Sequence, residues 1–178
     1  MKTGCVPFQK PNPPTCSKFC KKAVIILTSQ NSNNRIITMQ NAQLRLKQTE
    51  ESDLKFFFQF QLDKEANYLA AFTPKDQTNI EAYLKKFIKF LNDPTIHMQT
   101  ILVDETVAGS VAKFEMEGKT EITYWIDRSF WGRGVATTAL KSFLFIENTR
   151  PVFGRVAFDN FGSQNVLERC GFIKIGTD

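Results

Sequence analysis

Histidine is nearly missing from these 178 residues: His97 stands alone. A Ser-His-Asp or Cys-His relay therefore has one possible member, at the start of an expected strand, and a histidine-rich metal site is excluded. Cysteine is sparse too, at Cys5, Cys16, Cys20 and Cys170. Cys16-x-x-x-Cys20 has no histidine beside it, so these are read as reduced thiols and no metal is expected. No apolar run approaches the ~20 residues that cross a bilayer. The run in the first 38 residues, Ala23-Val24-Ile25-Ile26-Leu27, is shorter than the roughly 7–15 residues of a secretory signal core. A cytoplasmic protein without a membrane partner is expected. The nucleotide fingerprints GxGxxG and GxxxxGK[ST] are also missing.

Acidic residues are absent from residues 1–38, which carry Lys2, Lys10, Lys18, Lys21, Lys22 and Arg35. The net charge of +5 thus belongs to this leader, because 17 of the 23 basic residues face all 18 acidic ones in the remainder. With nearly balanced charge in the domain, no nucleic-acid partner is expected. The leader also holds Pro7, Pro11, Pro13 and Pro14. It reads as a basic, disordered tail, 1–38, ahead of one domain, 39–178, and Met39 is a possible natural start. An apolar share of 42% with 17 Phe is enough to fill the core of one such domain.

Within the domain, Leu44 and Leu46 alternate with Arg45 and Lys47, which predicts a strand over 43–49. Residues 50–62 are predicted helical, with Leu54, Phe57, Phe58, Gln61 and Leu62 on one face. Thr78-Asn79-Ile80-Glu81 reads as a capping box opening a second helix, which Pro94 ends. Three strands follow, over 97–103, 107–116 and 120–126, joined closely enough for antiparallel hairpins. After a helix that begins near Ala136, residues 152–158 form a strand, Asn160 caps a last helix, and 172–175 begin a final strand. Cys170 falls on that helix's inner side with Val166 and Leu167, which suits packing better than nucleophilic chemistry.

The densest stretch is Ser129-Phe130-Trp131-Gly132-Arg133-Gly134-Val135-Ala136-Thr137. It joins a strand exit, a glycine turn and a helix start, where free N–H groups and the positive end of the dipole suit an anion such as a pyrophosphate. A second block follows at 160–172, Asn-Phe-Gly-Ser-Gln-Asn-Val-Leu-Glu-Arg-Cys-Gly-Phe. Together they resemble the GNAT superfamily of acetyl-coenzyme A-dependent N-acetyltransferases. The first is similar to its Q/R-x-x-G-x-G/A motif, with Trp131, Gly134 and Ala136 in the first, fourth and sixth positions. The second resembles the N-x-x-S-x-x-V-L-E-K-x-G-F signature of the branch containing RimJ and RimL. The resemblance covers residues 43 to the C-terminus.

It implies a mixed α/β (α+β) GNAT acyl-CoA N-acyltransferase fold, with a central, mostly antiparallel twisted sheet flanked by helices. Relatives carry one more strand beyond the point where this chain stops, so the expectation is that either the chain is truncated there or a sheet edge is left unpaired. The implied reaction is direct acetyl transfer from acetyl-CoA to a primary amine, a protein N-terminus or a small molecule, by a monomer or homodimer. The coenzyme is expected on the N–H groups from Gly132 to Thr137, with Trp131 beside them, Arg133 adding charge, and backbone groups of Trp125, Ile126 and Asp127 pairing with the pantetheine arm. Asn160 is expected to bond that arm or to cap its helix, and the two can hold together; Ser163 is expected to assist the leaving thiolate or to cap. Relatives use a Tyr in this helix where Leu167 stands. Glu121 is the candidate base, or else a surface residue on a polar strand face. Phe58, Phe60 and Tyr68 are the residues expected near the acceptor. The alternative is a non-catalytic acyl-CoA-binding or regulatory module.

Overall fold

The computed structural model describes residues 22–29, 43–70 and 78–177. Its elements are β1 (Lys22–Leu27), β2 (Leu44–Gln48), α1 (Leu54–Phe60), α2 (Lys64–Leu69), α3 (Ile80–Leu91), β3 (His97–Val103), β4 (Thr106–Met116), β5 (Lys119–Ile126), α4 (Val135–Ile146), β6 (Val152–Ala157), α5 (Phe161–Arg169) and β7 (Ile173–Thr177). They build one seven-stranded sheet in the order β2-β3-β4-β5-β6-β1-β7. Every pairing is antiparallel except β5 with β6.

The sheet is covered on both faces. On one side α4 buries Val135, Ala139, Leu140, Phe143 and Leu144 at helical spacing, against Ile101, Val111, Ile122 and Val152 of the strands. Each of these side chains larger than alanine contributes roughly 1.5–3 kcal/mol when removed from water. On the other side Leu54, Phe57 and Phe58 of α1 meet Tyr83 of α3 and Met98 and Ala112 of the sheet. The cap of α3 is Asn79, whose side chain accepts from the Ala82 N–H, one residue later than the predicted box. Asp63, capping the unpredicted α2, accepts from Glu65 and Ala66.

The leader requires correction. Residues 22–27 are not part of a disordered tail: Ala23, Ile25 and Leu27 are buried in the main core, and β1 pairs with β6 on one side and β7 on the other. The domain boundary at 39 therefore cuts off a strand of the sheet. The expected gap beside the last strand is filled by this segment, whose two-residue alternation of burial is that of an ordinary strand.

Two irregularities prepare the site. Ile101 pairs with Gly109 but Leu102 pairs with Val107, so Ala108 is an extra residue in β4. The bulge brings the Ala108 carbonyl to the Asp127 N–H at 2.8 Å, at the exit of β5. Further along, β5 and β6 share one bridged pair, Glu121 with Phe153. Beyond it the two parallel strands part, and the molecule opens between them.

Candidate active site

A cavity of about 880 Å³ occupies this seam, lined by residues 121–126 of β5 and 154–157 of β6. One end is closed by the start of α4. Gly132 and Gly134 sit there at φ +72° and +78°, and a Cβ on either would meet open space. Gly134 is the N-cap and supplies no side-chain cap, whereas Asp63, Asn79 and Asn160 each cap their own helices. The first N–H groups of α4 are thus left to whatever enters the cavity. Val135 and Thr137 are buried and line the cavity together with Trp131, Gly132 and Ala136.

Two of the expected coenzyme contacts do not line the cavity, Asp127 and Arg133. Asp127 is engaged in the fold: its N–H goes to Ala108, its carbonyl accepts from Phe130, and its carboxylate accepts from the Ser129 hydroxyl. Arg133 lies over the Phe130 ring at 5.3 Å, a cation–π contact at the surface. Trp125 and Ile126 do border the seam, and the Ile126 carbonyl already accepts the Trp131 indole N–H at 2.8 Å, which ties that ring to the end of β5.

Glu121 is buried, at 2% exposure, so its surface reading fails. It lies 2.9 Å from the Arg155 guanidinium of β6, which also reaches Glu117 at 3.3 Å. That pairing supplies the countercharge a buried carboxylate requires. At the opposite wall, Asn160 caps α5 through the Ser163 N–H at 2.9 Å and donates to the Leu69 carbonyl at 2.9 Å. Capping belongs to Asn160 and leaves Ser163 free of that task. The Ser163 hydroxyl instead lies 2.6 Å from the Tyr124 hydroxyl, which stands 3.2 Å from the Ser163 carbonyl.

Tyr124 escaped the sequence reading, where it was one aromatic in a strand. Its only signal was strand alternation, which puts 122, 124 and 126 on the helix α4 side. Burial pushes its phenol well above the ordinary tyrosine range, despite the opposing hydrogen bond with Ser163. It stays neutral across physiological pH. Leu167, standing where relatives have Tyr, is buried beside it in the core. Of the residues expected near the acceptor, Phe58, Phe60 and Tyr68 do not line the cavity; Phe57, Gln61, Ala66 and Leu69 do. Arg128 anchors this side by ion pairs with Asp63, at 3.4 Å, and with Glu65. His97 lies elsewhere, tilted against Phe143 and 3.3 Å from Glu147. Cys170 packs 3.7 Å from the Thr137 carbonyl, and no metal-binding cluster occurs among the described residues. No described helix is long and apolar enough to cross a membrane.

Among solved structures, the spermidine N-acetyltransferase of Vibrio cholerae with CoA and spermine is similar at 22% identity and TM-score 0.64, over 75% of this chain and 83% of that one. An acetyltransferase of Salmonella typhimurium that modifies the N-terminal serine of ribosomal protein L7/L12 gives 22% and 0.58, over 71% and 78%. RimJ of Mycobacterium smegmatis with CoA-disulfide gives 19% and 0.60, over 75% and 71%. No curated protein matches the chain in sequence. The family model of the acetyltransferase (GNAT) domain matches residues 43–173, from β2 into β7 and across the whole seam. The chain belongs to the GNAT acetyltransferase family.

Proposed function

We propose that this acetyltransferase uses acetyl-CoA as co-substrate and transfers the acetyl group directly to a primary amine. The observation that carries the reading is the uncapped, glycine-bounded start of α4, facing the seam where β5 and β6 part. Backbone N–H groups of residues 135–137 hold the coenzyme's pyrophosphate, and Gly132 and Gly134 let it approach. The edges of β5 at Trp125 and Ile126 flank the arm. Both acceptors named for the similar proteins, a polyamine and a protein N-terminal serine, present amines.

An ammonium has no lone pair to attack a thioester, so one proton must leave before bond formation. Glu121 is assigned that proton. The amine nitrogen then forms the C–N bond, the C–S bond breaks, and the sulfur leaves with a proton. Ser163 is assigned to the sulfur, its hydroxyl donating as negative charge gathers there.

The test uses the full chain, with acetyl-CoA titrated by calorimetry and thiol release followed over amines. Glu121→Gln is expected to cut the rate about 10²–10⁴-fold with acetyl-CoA affinity unchanged. A rate and pH profile equal to the parent's would remove Glu121 as base. Binding with no turnover on any amine would favour the second reading, an acyl-CoA-binding module, which Leu167 in place of Tyr supports.

A further inference from the structure

The cavity is longer than the seam. Past Glu121 it continues between α3 and the sheet, where its wall is aromatic: Phe57, Tyr83, Phe87, Phe90 and Phe114. Tyr83 and Phe87 stack with centroids 4.2 Å apart, and Phe90 meets Phe87 edge-on at 5.4 Å. This is a preformed aromatic wall of the kind that ring-bearing ligands pack against.

Among the described lining residues the charges do not favour a polycation. The carboxylates among them are Glu121 and Asp159, and the cations are Lys86, Arg155 and Arg169. Glu121 is already 2.9 Å from Arg155. Lys86 stands on the same helix as the aromatic wall, its ammonium 5.5 Å above the Phe90 ring. An acceptor with one ammonium can bring it to Glu121 and lay an apolar body along α3. A polyamine would have to place its second and third ammonium groups in that apolar lobe beside a lysine, where desolvation and like-charge repulsion both oppose it.

Resting on the acetyltransferase reading above, we propose that the acceptor is a monoamine with an apolar, aromatic-sized body, bound with its amine at Glu121 and its ring against Tyr83 and Phe87. The step is balanced: the ammonium gives one proton to Glu121, which passes it to solvent, and the neutral amine and acetyl-CoA then give the N-acetyl amide and CoA thiol, the nitrogen's second proton ending on the sulfur.

Acetyl-CoA binding is measured first by calorimetry on the full chain, and thiol release is then followed with phenethylamine, n-propylamine, spermidine and a peptide with an N-terminal serine. The expected result is a kcat/KM for phenethylamine at least about tenfold above that of each of the others, the scale on which an apolar pocket discriminates. Spermidine or the peptide matching phenethylamine overturns the proposal, as does a failure of phenethylamine to react while another amine does. No coenzyme binding would overturn the underlying acetyltransferase reading, which the calorimetry separates from a failure of acceptor choice. Lys86→Glu, at an exposed position, is expected to shift the spermidine-to-phenethylamine ratio of kcat/KM upward by about tenfold; an unchanged ratio counts against the charge argument. Phe87→Leu is expected to raise KM for phenethylamine and leave KM for n-propylamine in place, and equal effects on both amines would overturn the ring contact.

Discussion

At the residue scale, the pair Tyr124–Ser163 sets a limit on what each hydroxyl can do. A serine hydroxyl is a weak acid with a free rotor, and the phenol 2.6 Å away removes that freedom. The phenol is held neutral by burial, so in the proposed reaction it acts on Ser163 by hydrogen bonding, with its own proton retained. Tyr124→Phe is therefore expected to lower kcat about tenfold, the worth of one buried hydrogen bond of about 1.4 kcal/mol, with acetyl-CoA affinity unchanged. The loss should shrink for an activated thioester whose thiol leaves more easily. An equal loss on both donors would make the contact merely structural. Cys170 offers a second check at this scale. Burial raises its thiol to about 12, against an opposing effect of Lys141. A thiol whose folded pKa is raised adds stability that is complete below its ordinary value and is lost as pH climbs through about 12. Site-resolved alkylation at pH 8 should leave Cys170 unmodified in the native chain and modify it in denaturant; equal labelling would contradict its packed position.

At the scale of elements, what was legible in the sequence was what is encoded locally. The strand exit, glycine turn and helix start of 129–137 need only neighbouring residues to specify them, and the turn and the start of α4 lie where the spacing puts them. Choices made by distant partners were not legible. Phe57 and Phe58 are both buried in α1, and only the position of α3 decides that the first one faces the cavity. The engagement of Asp127 and the Ile126 carbonyl likewise depends on the bulge at Ala108 and on Trp131 folding back. Gly109 is the residue that lets β4 lie close against the end of β5, because a Cβ there would lie 2.0 Å from the Trp125 carbonyl oxygen. Gly109→Ala must push β4 away from β5, at a cost of about 3 kcal/mol and a Tm fall of roughly 6–12 °C. Gly176→Ala, where a Cβ meets nothing within 4 Å, is the control expected to leave Tm in place. Equal Tm values for the parent and Gly109→Ala would show that the two strands are not held as closely as this contact requires.

Across the whole molecule, the family match and the sheet do not have the same boundaries. The match runs over residues 43–173, yet the strand between β6 and β7 comes from residues 22–27. Nothing local marked that run as a strand of the core. Five apolar residues behind a proline-rich, basic stretch carry no turn signal, and their partners lie more than a hundred residues away. The physics of the sheet nevertheless makes the segment indispensable to this arrangement. Without β1, β7 has no neighbour and β6 keeps a single bridged pair on its β5 side, leaving an open apolar edge prone to association. Ile25, buried at 1% exposure between the two, is the residue to test. Ile25→Ala is expected to cost about 2–5 kcal/mol, while Val24→Ala, on the less buried face, should cost clearly less. A chain beginning at Met39 should melt earlier and less cooperatively, and lose acetyl-CoA affinity because β6 is one wall of the seam. Should that shorter chain keep the Tm and the coenzyme affinity of the full one, β1 is dispensable and the boundary at 39 stands.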